Sequence, residues 1–593
     1  MIKCSLYVYM LQWGQDSFAC LSMTHRTMSS DLAFSKQHTF EVSIDHDKEL
    51  TTSLDVNEVP PEDAPAPYDL ANDPHRGLRM RHVQLLSISG AVGSGLFVSI
   101  GSPLTAAGPL GLLIGIIIWS TVIFGASNCL IEMTTLLPLD GGFITFAGRY
   151  VDKAFGNALG WNFLLCQASL VCFELTAFNV MIEYWTLTLH PAVAITVGLV
   201  LFALLQLYSV RWFGEVEFWI SITKILLQFG LVMYTFIAMC GGNPQHDKFG
   251  FRYWKNPGPL AGETGALKLK GIWDAVLWSC FALGGPDWIS LIGGEVRNPR
   301  RVLPKAFNST VYRIILFFVL GGFCVGINAP SNDPALLGAI AAGAPGAAKS
   351  PYIISMNRLG IPFLPDLVNA LVLVSIFSTG NAAVFCSSRG LYSLALKGGA
   401  PSVFKRLNKQ GVPYVAVLTI LAFGCLAYLS LGSGTVVVLN WFLSLVGAAN
   451  LVTWMSIAFT YMRFRAGLKS QGLLNNDFLP VRAYLQPLSS WWVICWAPIA
   501  FVCSGYALMV PGSWEGDTFV FTYGAIFIFA GFLILFKCIE VFYKKKKLSL
   551  FILAKDIDVH TDLEHIEAIT AASEAQRASH ERTKAQKVSD FLF

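Results

Sequence analysis

Residues 87–101 read SISGAVGSGLFVSIG, an apolar stretch that glycine interrupts at positions 90, 93 and 95. Glycine weakens a helix because its backbone has the most conformational freedom to lose. In lipid, an interrupted backbone is tolerated only where it is buried in protein or lines a cavity. The ends of such broken helices carry free N–H groups that attract anions. The stretch therefore predicts either a broken membrane helix of a transporter that binds a carboxylate, or a helix-packing face of small residues.

Composition narrows the class of protein. Apolar residues make up 54% of the chain and charged residues 13%, about half the charged share of soluble domains, which is about 25%. The net charge of +4 is small, and the basic residues lie beside apolar runs, so nucleic acid is not an expected partner. The cysteines have no metal-type C-x-x-C spacing, and the sequence has no nucleophile elbow or phosphate loop. These features predict an all-α membrane protein that is not an enzyme and has no metal or organic cofactor.

Twelve apolar runs are long enough to cross a bilayer, which takes about 20 residues each. We predict helices at 83–106, 110–136, 157–187, 190–209, 217–240, 273–293, 308–328, 366–396, 413–431, 435–463, 490–511 and 518–542. Lysine and arginine concentrate in alternate loops, while the loops at 187–190, 430–435 and 511–518 have none. The positive-inside rule therefore predicts a multi-pass protein with both termini in the cytoplasm.

The segments outside the apolar runs define the other regions. Residues 1–78 are predicted to be a largely disordered cytoplasmic tail, because Ser, Asp, Glu and Pro dominate much of them. Residues 79–545 form the transmembrane domain. Residues 546–593 are predicted to be a second cytoplasmic tail with an amphipathic helix, because its apolar residues have helical spacing: Val559, Leu563, Ile566 and Ile569.

A second break lies in the sixth run, where residues 280–287 read CFALGGPD. Proline removes a backbone donor and clashes with the preceding turn, and the two glycines before it weaken the helix further. Breaks in the first and sixth spans are the sequence pattern of an inverted repeat with a ligand site at the breaks. We therefore predict about twelve transmembrane helices with an inverted five-plus-five repeat and broken helices 1 and 6.

Several longer motifs occur in a characteristic order. From about residue 75 to 545 the chain resembles the fungal amino acid permeases, in the yeast amino acid transporter group of the amino acid–polyamine–organocation superfamily. The matching motifs are GSGLF at 93–97, PLDGGF at 138–143, GE at 294–295 with NPR at 298–300, SIFSTGNAAVFCSS at 375–388 followed by RGLY, GVPY at 411–414, and NW at 440–441 with GAANL at 447–451. The resemblance implies the inverted-repeat fold and proton-driven uptake of amino acids across the plasma membrane.

The two breaks supply candidate substrate-binding groups. Backbone N–H groups near Gly93, Ser94 and Gly95 suit a carboxylate. Carbonyls released around Phe281, Ala282 and Gly284 suit an α-ammonium group, and the family's similar sites bind a zwitterion in this way. Phe281 is either a gate over the ligand or an ordinary packing residue.

Two charged residues lie in the middle of predicted spans. Lys224 is either a proton-coupling group or a structural lysine, since a charge at this depth is costly and usually functional. In the superfamily a lysine here replaces a sodium ion, so the resemblance implies Gly90, Ser378 and Thr379 as its neighbours. Glu174 matches the family's third-span glutamate and is either a proton site or substrate contact, or a structural partner of Asn179.

The expected function is therefore a proton-coupled amino acid symporter of the plasma membrane that works by alternating access. The expected partners are an amino acid, membrane lipid, the proton as coupling ion and cytoplasmic regulators of the tails. A permease for a related amine such as γ-aminobutyrate or choline, and a non-transporting amino acid sensor, are the alternatives. Asp287 stands where the family usually has glutamate, so the substrate range of better-known relatives does not transfer directly.

Overall fold

A computed structural model describes residues 83–84 and 93–579, apart from 187, 297, 342–349, 434, 475–477, 513, 544 and 546–548. Gly90 and the predicted N-terminal tail over 1–78 lie outside the described residues. Within this part of the chain, nine helices are long and apolar enough to cross a membrane. The predicted all-α membrane protein is thereby confirmed.

The helices of the first half lead up to the second predicted break. They are α1 (Gly95–Ser99), α2 (Gly101–Leu136), α3 (Gly142–Tyr150), α4 (Lys153–Ile182), α5 (Pro191–Tyr208), α6 (Val210–Met239), α7 (Gly265–Ala282) and α8 (Pro286–Leu291). The second half consists of α9 (Pro299–Asn328), α10 (Pro334–Ala341), α11 (Pro351–Arg358), α12 (Leu364–Leu396), α13 (Tyr414–Gly432), α14 (Thr435–Ser470), α15 (Leu488–Cys503), α16 (Gly516–Cys538) and α17 (Leu563–Ser579).

Gly108 divides the first two predicted spans. Its φ of 76° is left-handed, and it interrupts α2 just before Pro109. A methyl group at this position would lie 2.7 Å from the backbone nitrogen of Ala261 and 2.8 Å from the carbonyl oxygen of Pro259. Glycine is required here because it accepts a positive φ and lets the loop approach closely. Each of the twelve predicted runs then corresponds to helical structure in the described segments.

The predicted break in the sixth run is confirmed. Helix α7 ends at Ala282, residues 283–285 are not helical, and α8 starts at Pro286. Gly285 has a φ of 117°, which a residue with a side chain rarely adopts. The first break falls partly on residues 85–92, which are not described. The inverted five-plus-five repeat as a whole stays a prediction.

Helix α4 is the centre of the bundle. It packs between α12 and α14, while α2 packs along α7. The most apolar part of α4 is 89% buried, so nearly every side chain on it contacts protein. By contrast, α5, α6 and α16 expose large apolar side chains, among them Leu204, Phe229, Phe527 and Ile534. Exposed apolar faces of this extent are expected where lipid, and not water, surrounds a helix.

The end of the bundle that carries Arg149, Arg300 and Arg463, here called the basic end, holds the C-terminal segment. Arg149 donates to Asp562 Oδ2 at 2.6 Å and to the carbonyl of Thr561 at 3.0 Å. Arg463 donates to the carbonyl of Ile552. Since both contacts reach across the chain from the helices to the tail, they tie this segment to the bundle.

Apolar side chains of the same segment are inserted into the basic end. Val559 and Ile569 are fully buried, and Ile557 and Ile566 nearly so. A methyl group on Gly467 would lie 3.0 Å from Ile557, so α14 approaches the tail closely at this glycine. Helix α17 therefore packs on protein along its apolar face.

Substitution of one buried residue of α17 will release the tail. Ile569→Asp places a charge in an apolar contact and removes packing that is worth about 2 kcal/mol or more. Trypsin cleavage after Arg577 in the detergent-solubilised protein should then become about 30-fold faster, because cleavage follows the population of the open form.

The matched control is Ala568→Asp, which adds the same charge at the neighbouring exposed position of α17. Equal cleavage rates in the two variants would show that Ile569 does not hold the tail to the bundle.

Candidate functional site

A small buried cavity lies where the two breaks meet α4, α12 and α14. Its wall includes six of the seven residues predicted to bind substrate: Gly93, Gly95, Glu174, Phe281, Ala282 and Gly284. The seventh, Ser94, lies between two of these wall residues and is buried. The structure therefore brings together residues that are up to 191 positions apart in the chain.

The start of α1 forms one side of the cavity. The first N–H groups of a helix have no partner within it, and they carry the positive end of its dipole. Glu174 lies against this end, because a methyl group on Gly93 would come within 2.7 Å of Glu174 Oε1. Ser94 Oγ and Glu174 Oε2 are buried and have no hydrogen-bond partner among the described residues. This side can therefore accept an anion or a protonated carboxyl group.

The end of α7 forms the opposite side. The carbonyl of Ala282 would normally accept from residue 286, but residue 286 is proline and has no N–H. The carbonyl of Phe281 would accept from Gly285, whose N–H instead donates to Asp287 Oδ1 at 3.2 Å. These two carbonyls carry the negative end of the α7 dipole. They are suited to a cation, so the two sides of the cavity have opposite polarity.

Phe281 lines both this site and a larger cavity. Its ring packs edge-on against Phe173, with centroids 5.0 Å apart. The larger cavity, of about 400 Å³, lies among α2, α7 and α14 and includes Phe281 in its wall, together with Asp274 and Trp278.

Lys224 lies beside the site and is 1% exposed. Its Nζ donates to Thr379 Oγ1 at 3.1 Å, and Thr379 also lines the cavity. Thr379 thus links the lysine to the cavity wall, as predicted for this pair. Ser378 donates to Glu217 Oε1, so it joins the same polar cluster through a different residue. Gly90, the other predicted neighbour, is outside the described residues.

Glu217 was not among the residues predicted from the sequence. It lies on α6, is 2% exposed and accepts from both Ser378 and Asn381. The sequence could have indicated Glu217 through its position seven residues before Lys224, because residues two turns apart share a helix face.

The wall residues that went unpredicted include two with amide side chains. Gln167 and Asn450 line the cavity, and Gln167 Oε1 has no partner in the described part of the chain. Gln167 is two turns before Glu174 on α4, which is the corresponding sequence signal.

The proposed structural pairing of Glu174 with Asn179 is wrong. Asn179 donates to Glu183 Oε1 at 2.7 Å, one turn further along α4. A residue five positions from Glu174 points away from it on a helix, whereas one four positions from Glu183 shares its face. Glu174 instead lines the cavity beside Ser94 and Lys224.

The family model for amino acid permeases matches residues 82–549. The chain belongs to the amino acid permease family. A proline-specific permease of Emericella nidulans is 36% identical over 501 residues, which are 83% of this chain and 89% of the relative. The proline-specific permease of Saccharomyces cerevisiae is 37% identical, with 81% of this chain and 78% of the relative covered. A general amino acid permease of the same yeast is 35% identical, with 83% of each chain covered.

Solved structures agree on the fold. A manganese transporter from Eremococcus coleocola superposes with a TM-score of 0.51 at 16% sequence identity, covering 80% of this permease and 96% of that transporter. At this identity the match concerns the fold alone. Membership of the amino acid permease family makes the chain a membrane transporter and not an enzyme, as predicted.

A methyl group added to the cavity wall will impair substrate binding without disturbing the fold. In Gly284→Ala the new carbon meets no atom within 4 Å, so the protein has room for it, but the methyl occupies cavity volume. We expect the KM of amino acid uptake to rise about tenfold.

Gly230→Ala is the matched control, because it adds the same group to a helical glycine with nothing within 4 Å, on an exposed face of α6. Uptake should be compared at equal surface level of the two variants. An unchanged KM in Gly284→Ala would exclude residue 284 from the binding site.

Proposed function

We propose that this permease is a proton symporter that imports amino acids across the plasma membrane by alternating access. One observation carries the proposal: a cavity with opposite polarity at its two ends has two charged residues, Glu174 and Lys224, buried in and beside it. Buried ionisable groups in a membrane domain are costly and mark ion or proton pathways. The proton is the proposed coupling ion, and no other cofactor is proposed.

The substrate is proposed to bind as a zwitterion across the cavity. Its carboxylate faces the start of α1 at Gly93, Ser94 and Gly95, and its ammonium faces the carbonyls of Phe281 and Ala282. Helix dipoles favour this orientation at both ends, because each charged group meets the opposite end of a helix. A ligand without a carboxylate, such as choline, would leave the start of α1 without its anion.

Small neutral amino acids, proline among them, are the proposed substrates. Two similar permeases, at 36% and 37% identity, are described as proline-specific, and a third at 35% as a general amino acid permease. Leu170, Val446 and Trp288 contribute apolar side chains to the cavity wall. A small apolar side chain fits such a wall better than a charged one.

A competition panel tests the substrate class. Uptake of labelled proline in a permease-deficient fungal cell is measured with an excess of neutral, basic and acidic amino acids, γ-aminobutyrate or choline. Neutral amino acids should compete best. Competition by γ-aminobutyrate or choline alone would support the related-amine permease, and a surface-expressed chain that transports nothing would support the sensor.

Phe281 is the proposed gate between the substrate site and the larger cavity. Its ring belongs to the walls of both spaces and contacts Phe173 on α4. The larger cavity is then the outer approach to the site. The basic end faces the cytoplasm in this proposal, with both termini inside, where cytoplasmic regulators can reach the tails. The exposed apolar faces of the bundle contact membrane lipid.

Lys224 is proposed as the proton-coupling group, acting with Thr379 and Ser378 next to the first helix. Thr379 accepts from Lys224 at 3.1 Å and lines the cavity, so the protonation state of the lysine can affect the substrate site. Glu174 is the second candidate carrier, since it interacts electrostatically with Lys224 and lies in the cavity wall.

Uptake should follow the proton gradient and not sodium. We expect the initial rate to rise as the external pH falls from about 7 to about 5, and accumulation to be lost with a protonophore. Replacing sodium by potassium should leave both unchanged, because the resemblance to the superfamily implies that Lys224 replaces a sodium ion. A strict sodium requirement would refute proton coupling.

The two candidate carriers can be separated by one pair of variants. Lys224→Met keeps an unbranched apolar side chain but removes the charge, so accumulation against a gradient should be lost while exchange of preloaded label continues. Glu174→Gln should keep more of the accumulation if lysine is the carrier. Normal accumulation in Lys224→Met, with exchange alone in Glu174→Gln, would transfer the coupling role to the carboxylate.

A further inference from the structure

Glu217 occupies a buried position that neither the substrate site nor the family match explains. It lies seven residues before Lys224 on α6, and both side chains are almost completely buried. Seven residues correspond to about two helical turns, or about 10.5 Å along the axis. Helical side chains tilt toward the N-terminus, so the long Lys224 side chain reaches back in the direction of Glu217.

A backbone carbonyl decides which atoms donate and which accept in the hydrogen bonds around Glu217. Gln206 Nε2 lies 2.7 Å from the carbonyl oxygen of Asn381, which can only accept. The same Nε2 lies 2.8 Å from the amide oxygen of Asn381, so the amide nitrogen of Asn381 faces the other way. That nitrogen donates to Glu217 Oε2 at 3.2 Å.

Both oxygens of Glu217 therefore accept hydrogen bonds. Asn381 occupies Oε2, and the hydroxyl of Ser378 donates to Oε1. An ionised carboxylate only accepts, whereas a protonated one needs an acceptor for its own proton. Asn381, oriented by Gln206 on α5, and the hydroxyl of Ser378 can thus both donate to Glu217, an arrangement that suits an ionised carboxylate.

Lys224 supplies the positive charge that this anion requires. Ser378, which donates to Glu217, is adjacent in sequence to Thr379, which accepts from Lys224, so the carboxylate and the ammonium group contact neighbouring residues of α12. With Lys224, Glu217 and Glu174 all ionised the cluster has a net charge of −1, and one added proton makes it neutral. A buried net charge is costly, so the neutral cluster is favoured and holds one exchangeable proton.

The side of the cluster toward the basic end is closed by two aromatic rings. Phe213, one turn before Glu217, stacks on Phe385, one turn after Asn381, with centroids 4.2 Å apart. The guanidinium of Arg389 lies 4.5 Å from the Phe385 ring centroid and donates to Glu295 at 3.1 Å. Cys386 on α12 also interacts electrostatically with Glu217. Along α12, Phe385 lies between Asn381, which contacts Glu217, and Arg389 of the Arg389–Glu295 ion pair.

We propose that Glu217 is the permanent counter-ion of Lys224, a positioning residue that stays ionised through the transport cycle and keeps the lysine charged while the substrate site is loaded. The exchangeable proton then belongs to Lys224 and Glu174, which are the groups nearer the cavity. This proposal rests on proton coupling as the proposed function of the permease.

Stability of the full-length protein tests the pairing without any transport measurement. The unfolding midpoint is measured in detergent by fluorescence size exclusion for Lys224→Met alone and combined with either Glu217→Gln or Glu174→Gln. Lys224→Met should lower the midpoint, because it leaves a buried anion unpaired. Glu217→Gln should restore about half of that loss or more, whereas Glu174→Gln should restore little, because Glu174 can neutralise itself by binding a proton.

Should Lys224→Met fail to fold, recovery of folded protein in the double variant gives the same comparison. Equal or better rescue by Glu174→Gln would overturn the assignment of Glu217 as the counter-ion.

The pH profile of uptake gives a second readout that a purely structural role would not move. Without the negative charge of Glu217, protonation of the remaining pair needs a higher proton concentration, so the half-maximal pH in Glu217→Gln should fall by about 1–3 units. Glu217→Asp should shift less. Glu215→Gln, the same change on the opposite face of α6, should not shift at all.

The outcomes of the two measurements separate the two proposals. Uptake by the wild-type protein that is independent of pH would refute proton coupling. The unfolding experiment would still test the Lys224–Glu217 ion pair in that case. A wild-type protein that depends on pH, with identical profiles for Glu217→Gln and Glu215→Gln, would refute the role of Glu217 alone.

Discussion

The charge of Lys224, buried at the depth of the membrane, is the constraint on which the rest of the site depends. An ammonium group in such surroundings is tolerated only where polar and anionic groups converge on it. Three helices supply those groups: Glu217 comes from α6 itself, Thr379 from α12 and Glu174 from α4. Helix α4 can place a carboxylate there because it is enclosed by its neighbours and does not face lipid. The central position of α4 therefore allows Glu174 to be part of the charge cluster.

The interrupted helices place the substrate cavity directly beside this cluster. Glycine at position 93 lets Glu174 and Thr379 approach the backbone of the first helix within a distance that a methyl group would block. At the other break, Pro286 and the side chain of Asp287 withdraw the donors that would have satisfied the end of α7. The cavity thus forms between groups whose helical partners are missing. Binding energy at such ends comes from preorganised backbone dipoles, which need no rearrangement when the ligand arrives.

The approach to the substrate site and the basic end of the bundle are formed by different residues. Phe281 belongs to the walls of both the substrate cavity and the larger cavity, which makes it the proposed gate. At the basic end, Phe213 stacks on Phe385, and the C-terminal segment is docked on the helices. The tail contacts α3 through Arg149 and α14 through Arg463 and Gly467, so it spans elements that are far apart in the chain.

The positions of most helices, several residues of the cavity wall and two of the buried charges follow from the sequence alone. Apolar runs about 20 residues long determine where the chain crosses the membrane, because lipid requires every backbone group to be paired within the segment. The Gly-Gly-Pro run before Asp287 determines the second break, since proline has no N–H to continue the helix. Gly93, Gly95, Phe281, Ala282 and Gly284 could be chosen as wall residues for the same local reason. The mid-span charges of Glu174 and Lys224 were equally visible.

Only the tertiary structure decided how these groups are paired. The sequence offered Asn179 as a partner for Glu174, but helix geometry turns Asn179 toward Glu183. The spacing of seven residues could place Glu217 on the Lys224 face of α6, but only the packing of α6 on α12 shows that Ser378 and Asn381 meet Glu217 there. Gln167 and Asn450 became wall residues through the packing of α4 against α14. Local sequence determines where a helix starts, breaks and ends, whereas the partners of a buried charge depend on contacts between segments that are distant in the chain.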